Sequence, residues 1–224
     1  MALPLVEHED ELAELIKEIG FLPFFQSSVP GFSLKDCVPP EFWFPEEGDG
    51  VWEWKGPAIQ LSGCAYGKFF KNKAGFISRE WFPDFANHRR DGYDFDARYD
   101  DGLASFKEKR IFDTLAAEGT MLSKELRKRS GFVGEGKSGY DTTLTRLQMR
   151  GYIITTDFEY AVDSKGNFYG WGIARYATPE THFGGDFTDR VYIRTPAESA
   201  RRIMEHLGKL LPQATQEQLK GILG

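Results

Sequence analysis

The chain has 224 residues, a formal net charge of −6 and 41% hydrophobic residues, an ordinary globular balance with room for one large domain or two small ones. No window approaches the ~18 consecutive apolar residues of a membrane span, and MALPLVEHEDELAEL puts acids where a secretory leader needs bases, so a cytoplasmic protein with no membrane partner is expected. Cys37 and Cys64 are too few for a disulfide framework and lack zinc spacing; they read as buried thiols, and no cofactor or metal is expected.

Charge is unevenly spread. Residues 1–60 carry twelve acids against three bases, whereas 66–90 carry six bases against two acids and 123–150 seven against three. Two basic patches on an acidic chain fit contact with nucleic acid, although a solvated helix face has the same composition. The 15% aromatic content suits either a dense core or stacking surfaces for bases.

In chain order, Leu12, Leu15, Ile16 and Ile19 recur at helical spacing, predicting a helix from Glu7 to Ile19 that Gly20 ends. A loop-rich segment leads to WEWKGPAI (Trp52–Ile59), read as the opening of a strand. Tyr66–Phe70 and Gly75–Ile77 flank KNK as a hairpin. Ser78 is positioned to cap a helix bearing Trp81, Phe85, Arg89 and Arg90. The turn-rich RRDGYDFDARYDDG then marks a boundary near Gly102.

Beyond it, residues 105–118 read as a helix with Ile111, Phe112, Leu115 and Ala116 on one face. Ser123 is expected to cap a short second helix holding Leu126, and Tyr140–Arg150 to form a third with Tyr140, Leu144 and Leu147 inward. YIITTDFEYAV and FYGWGIARYAT read as strands joined by the turn DSKGN. That order is a winged helix-turn-helix. The expected architecture is therefore α+β: a mixed α/β N-terminal region (1–102), a winged helix-turn-helix (103–180) and C-terminal helices (181–224) forming a lid or a protein-partner surface.

GFVGEGKS, with Gly131, Gly136, Lys137 and Ser138, satisfies the spacing of a nucleotide phosphate loop. A phosphate loop, however, needs an apolar strand delivering its glycines to a helix, and SKELRKRS is charged and helix-forming. The match reads as accidental, and the segment as a connector placing Lys137 and Ser138 at the N-terminus of the third helix, a position that favours a DNA phosphate.

On the third helix Asp141, Thr142, Thr145, Arg146 and Gln148 are expected on the flanks or outside, where such side chains reach base edges and phosphates. Thr142, Thr145 and Arg146, with Lys124, Lys137, Ser138, Arg150 and the wing-tip Lys165, form the candidate nucleic-acid-binding set. A second candidate is a pocket among Trp52, Trp54, Tyr66 and Lys68, with Glu53 and Lys55 as catalytic groups for a base-excising or other nucleic-acid-processing enzyme. A third is a protein-interaction or regulatory module without nucleic acid. Asp91, Asp94, Asp96, Asp100 and Asp101 lack calcium-loop order and are expected to pair with Arg89, Arg90 and Arg98. His8, His88, His182 and His206 form no catalytic or metal motif.

The run EKRIFDTLAAEGTMLSKELRKRSGF, then KSGYDTTLTRLQMRGYIITTDFEY and YGWGIARYATPE, resembles the AlkZ-related proteins, winged-helix relatives of the AlkZ/YcaQ DNA glycosylases. AGFISREWFPDFANHRRDGYDFDARYDDGLAS and WEWKGP extend the resemblance over about residues 52–180. It implies a bacterial protein that binds duplex DNA, related to enzymes that excise damaged bases or unhook crosslinks. Those glycosylases look to a Gln-x-Gln or Gln-x-Asp pair. Here the match is Gln216–Glu217–Gln218, outside the resembling region, while Gln60 stands alone.

Overall fold

A computed structural model describes residues 3–134, 138–162 and 168–224. The N-terminal part begins with α1 (Glu9–Ile19), whose Leu12, Leu15, Ile16 and Ile19 are buried, and β1 (Phe21–Pro23). Gly20 joins them at a φ of 80°, and a side chain there would collide with the indole of Trp81. Next come α2 (Leu34–Cys37), a 3₁₀ turn (Pro40–Trp43), α3 (Val51–Ser62), the hairpin β2 (Ala65–Phe70) and β3 (Lys73–Ile77), then α4 (Phe82–Arg90) and α5 (Phe95–Asp100).

Two expectations fail here. WEWKGPAI belongs to helix α3, because Val51, Trp54, Lys55, Ala58 and Ile59 are buried at the i, i+3, i+4, i+7, i+8 spacing of a helical face. The two tryptophans mimic a period of two, and Pro57 suggests a break, yet Pro57 sits exposed in the helix interior. Glu53 Oε2 accepts the Gly50 backbone N–H at 3.1 Å and starts the helix. Ser78, in turn, is not the cap of α4: Trp81 holds that position, and the Ser78 carbonyl accepts from the N–H groups of Trp81 and Phe82.

The second half runs α6 (Phe106–Glu118), β4 (Met121–Leu122), α7 (Ser123–Arg129), α8 (Tyr140–Met149), β5 (Ile154–Val162) and β6 (Phe168–Ala177). Ser105 and Glu108 form a reciprocal capping box at the start of α6. Leu122 rather than Ser123 is the N-cap of α7. Strand β4 pairs with β6 and β6 with β5, all antiparallel, an arrangement compatible with a winged helix-turn-helix. Then α9 (Pro179–Phe183), α10 (Gly185–Thr188), α11 (Pro196–Leu210) and α12 (Gln216–Leu223) return to the N-terminal half.

The described strands form one antiparallel sheet in the order β1-β3-β2-β5-β6-β4, so it crosses residue 102. Its central join is narrow, a single pair Tyr66–Thr155 between β2 and β5. Two apolar clusters flank the join. One unites the N-terminal elements with Ile203, Leu207, Leu211, Leu219 and Ile222 of the C-terminal helices and their connection; the other holds Ile111, Leu115, Leu126, Tyr140, Leu144, Leu147 and Tyr152.

Arg90 rivets the two clusters together. Fully buried, it donates to Glu180 Oε1 at 2.7 Å, to the Tyr192 hydroxyl at 2.9 Å and to the Gly151 carbonyl at 2.8 Å, and it lies over the Tyr152 and Phe187 rings. Burial opposes its charge, but Glu180 and Tyr192 outweigh that and hold its pKa above the ordinary value.

Candidate nucleic-acid interface

Helix α8 is held from behind. Tyr140, Leu144 and Leu147 are buried in the second cluster as the sequence predicts, each worth about 1.5–3 kcal/mol of apolar burial. The Tyr140 hydroxyl donates to the Ser123 carbonyl at 3.1 Å, fixing α8 against α7. Gln148 departs from its expected outward position: it is buried, and its Oε1 accepts the Lys68 backbone N–H at 2.9 Å. Strand β2 leaves β5 after Tyr66, and the Gln148 amide takes the place of the missing strand partner.

The outer side of α8 leaves Asp141, Thr142 and Arg146 exposed, with Thr145 and Arg150 half-buried. Ser138 is exposed just before the helix, and its carbonyl accepts from Lys107 Nζ at 3.0 Å. Lys124 is exposed in the first turn of α7. Lys137 and Lys165 lie outside the described residues. Among the described residues, Lys124, Arg146 and Arg150 have no carboxylate partner, whereas several arginines elsewhere are paired, among them Arg79 with Asp186, Arg129 with Glu118, Arg175 with Glu159 and Arg202 with Asp84.

The phosphate-loop-like segment is preceded by helix α7 rather than a strand, as the sequence predicts. Gly131, at a φ of 72°, lets the Arg110 guanidinium approach and donate to the Ser130 carbonyl, and Arg110 also covers the Phe132 ring at 5.2 Å. Phe132 is buried, so this stretch contributes to the core before reaching α8.

The residues of the second candidate pocket are dispersed. Trp54 is buried against Phe42, Tyr66 is buried against Phe76 and Phe158, and Lys68 is exposed beside α8. Trp52 instead helps line a cleft of about 410 Å³ with Phe25, Lys35, Trp43 and Phe44, a grouping whose signal in FLPFFQ and EFWFPE passes for core. Glu53 is half-buried and engaged at the start of α3. Lys55 is buried with its ammonium 5.1 Å from the Trp52 ring centre and 4.4 Å from that of Phe158; burial lowers its pKa to about 8, with Glu53 opposing.

The remaining motifs serve the scaffold. Thr215 and Gln218 form the capping box of α12, with Gln218 Oε1 accepting the Thr215 N–H at 2.8 Å, which accounts for the Gln-x-Gln match. Gln60 donates to the Thr156 carbonyl at 2.9 Å and ties α3 to β5. The aspartates of the connector do not pair with Arg89, Arg90 or Arg98 as expected: Asp94 caps α5, Asp96 pairs with Lys109, and Arg90 turns to Glu180. No group able to hold a metal ion occurs among the described residues. Both thiols are buried, and burial pushes Cys37 and Cys64 up to about 12.

The apolar faces of the C-terminal helices are engaged within the chain. Helix α11 packs on α4, where Asp84 accepts from Ser199 Oγ at 2.8 Å and pairs with Arg202. No helix of the described residues is long and apolar enough to cross a membrane.

No curated protein and no solved structure matches the chain. A family model described as AlkZ related matches residues 6–224, taking in both the N-terminal elements and the C-terminal helices. With that match over nearly its whole length, the chain belongs to the AlkZ-related family.

Proposed function

We propose that this protein binds duplex DNA through the face formed by α7 and α8, with α8 docking in the major groove in the manner of a winged helix and residues 103–180 as its DNA-facing unit. The observation that carries this reading is the contrast across α8: its inner side is fixed by Tyr140, Leu144, Leu147 and Gln148, while its outer side presents Thr142, Thr145, Arg146 and Arg150 with no internal ion pair among the described residues. Arginine and threonine are suited to base edges and phosphates, and a cation without an internal partner pays no cost of breaking one when it meets DNA. Lys124 and the Ser138 end of α8 serve as phosphate contacts, and Lys137 and Lys165 extend the same set.

Membership of the AlkZ-related family supports the choice of DNA as partner and a relationship to DNA glycosylases and repair. The residues do not extend that support to base excision by the glycosylase pair, since Gln216–Gln218 lies in the capping turn of α12. Binding in this reading requires the cytoplasmic location that the sequence predicts.

The test is duplex binding across a salt series. Arg146→Ala and Arg150→Ala are each expected to weaken binding and to reduce the slope of log K against log salt by about 0.9 per lost phosphate contact; a residue reading a base instead costs about 1–3 kcal/mol at its cognate site. Unchanged affinity and slope in both variants would sink the proposal.

A further inference from the structure

We infer that the β2–β3 hairpin is a second DNA-backbone-gripping element, with Lys68, Lys71 and Lys73 contacting phosphates of the same duplex that α8 engages. This rests on the DNA-binding reading and deepens it, extending the footprint into the N-terminal half.

The first observation is the physical join between the two basic stretches. The Lys68 backbone N–H donates to Gln148 of α8, and the Phe69 carbonyl accepts from Arg89 Nη2 at 2.7 Å. Gly151, just past α8, lies so close to α4 that an added Cβ would stand 3.3 Å from Ala86. Residues 68–69, 86–89 and 148–151 therefore meet at one junction. Lys68 is exposed there, flanked by buried neighbours on both sides of the strand.

The second observation is the recess at the hairpin tip. Lys71 and Lys73 line a hollow of about 240 Å³ together with Gln26, Ser27, Ser28 and Gly221, and no acidic residue lines it. Ser27 Oγ donates to the Val29 carbonyl and Ser28 Oγ to that of Gln218, so their hydroxyl protons are engaged. Lys73 Nζ uses one proton on the Gln26 carbonyl at 3.1 Å. Gln26 adds a neutral carboxamide, and the two ammonium groups are the charged donors of the recess, which with no carboxylate among its lining residues suits an anion.

The third observation concerns the rigidity of the hairpin. Lys71 and Asn72 adopt left-handed φ values of 50° and 68° and form the tight turn between β2 and β3, so Lys71 stands in the turn itself, between Lys68 on β2 and Lys73 on β3. Lys68 lies within β2 and Lys71 just beyond its end, so the lysines are spread from the α8 junction to the hairpin tip. Among the described residues, Lys68, Lys71 and Lys73 have no carboxylate partner.

The experiment compares duplex binding by the full chain, the double variant Lys71→Ala/Lys73→Ala, Lys68→Ala, and a control variant Lys17→Ala on α1. Loss of two phosphate contacts is expected to lower the salt slope by about 1.8, so that the affinity lost between about 50 and about 200 mM salt shrinks by about tenfold. Lys68→Ala should lower the slope by about half as much, and the control should leave it unchanged. Circular dichroism and unfolding midpoints of these exposed variants establish that each is folded. If the wild type binds with a slope sensitive to Arg146 and Arg150 but indifferent to all three hairpin lysines, the inference fails while the DNA-binding reading stands. If the wild type does not bind even at low salt, both fail. Titration with inorganic phosphate followed by NMR separates the remaining case: saturation at the recess with no change in duplex slope would make it a free-anion site and overturn the inference.

Discussion

Lys55 has a chemistry that departs from what its type predicts. A lysine on a helix normally carries its charge to water, but α3 turns this one into the space between Trp52 and Phe158, where no carboxylate pairs with it among the described residues. With a folded pKa near 8 against the ordinary 10.5, the folded state holds fewer protons than the unfolded one across that interval, so stability rises with pH there. The cost of burying the ammonium is in full force below about pH 8 and gone above about 10.5. Lys55→Met is accordingly expected to stabilise the protein at pH 7 by about 2 kcal/mol, with the gain fading towards pH 10.5; urea unfolding at a series of pH values measures it. A gain that stays constant with pH would show that the amine is not the source.

At the scale of elements, α8 depends on a contact outside its own apolar face. Gln148 caps a β2 backbone N–H that would otherwise lack a partner, so the orientation of the helix and the course of the hairpin are set together. Gln148→Leu preserves bulk but abandons that N–H, and a cost of about 1–3 kcal/mol in unfolding free energy is expected. Faster hydrogen exchange at the Lys68 amide is the accompanying sign; an unchanged exchange rate would contradict the assigned role. Helix periodicity identifies Tyr140, Leu144 and Leu147, but Gln148 sits at the margin of that face, and its type suggests solvent. For α3 the opposite error arises, since alternating tryptophans imitate a strand and only the face turned towards α1 reveals the helix.

On the scale of the whole molecule, the halves are joined by one sheet, the Arg90 hub and the return of α11 and α12 to the N-terminal core. Arg90→Ala removes a cation over two rings and leaves the Glu180 carboxylate without its buried partner. Breaking such a pair typically costs about 3–5 kcal/mol, which a shift in the denaturation midpoint would report. The same architecture predicts that Leu144→Ala in one cluster and Ile59→Val in the other displace a single common transition. Two separable transitions would mean that the sheet join at Tyr66–Thr155 does not couple the halves.

Local pattern in the sequence was sufficient for the hairpin around KNK, the helix–helix–helix–strand–strand order after Gly102, the buried thiols and the helix that precedes GFVGEGKS, because each follows from periodicity or from what immediately precedes it in the chain. The tertiary structure alone decided which cations are ion-paired and which are not, that Gln148 is buried, that Arg90 seeks Glu180 rather than the nearby aspartates, and that the basic segments 66–90 and 123–150 meet. These are pairings between residues up to 118 positions apart. Composition sets how many charges there are; only the fold determines which of them face one another.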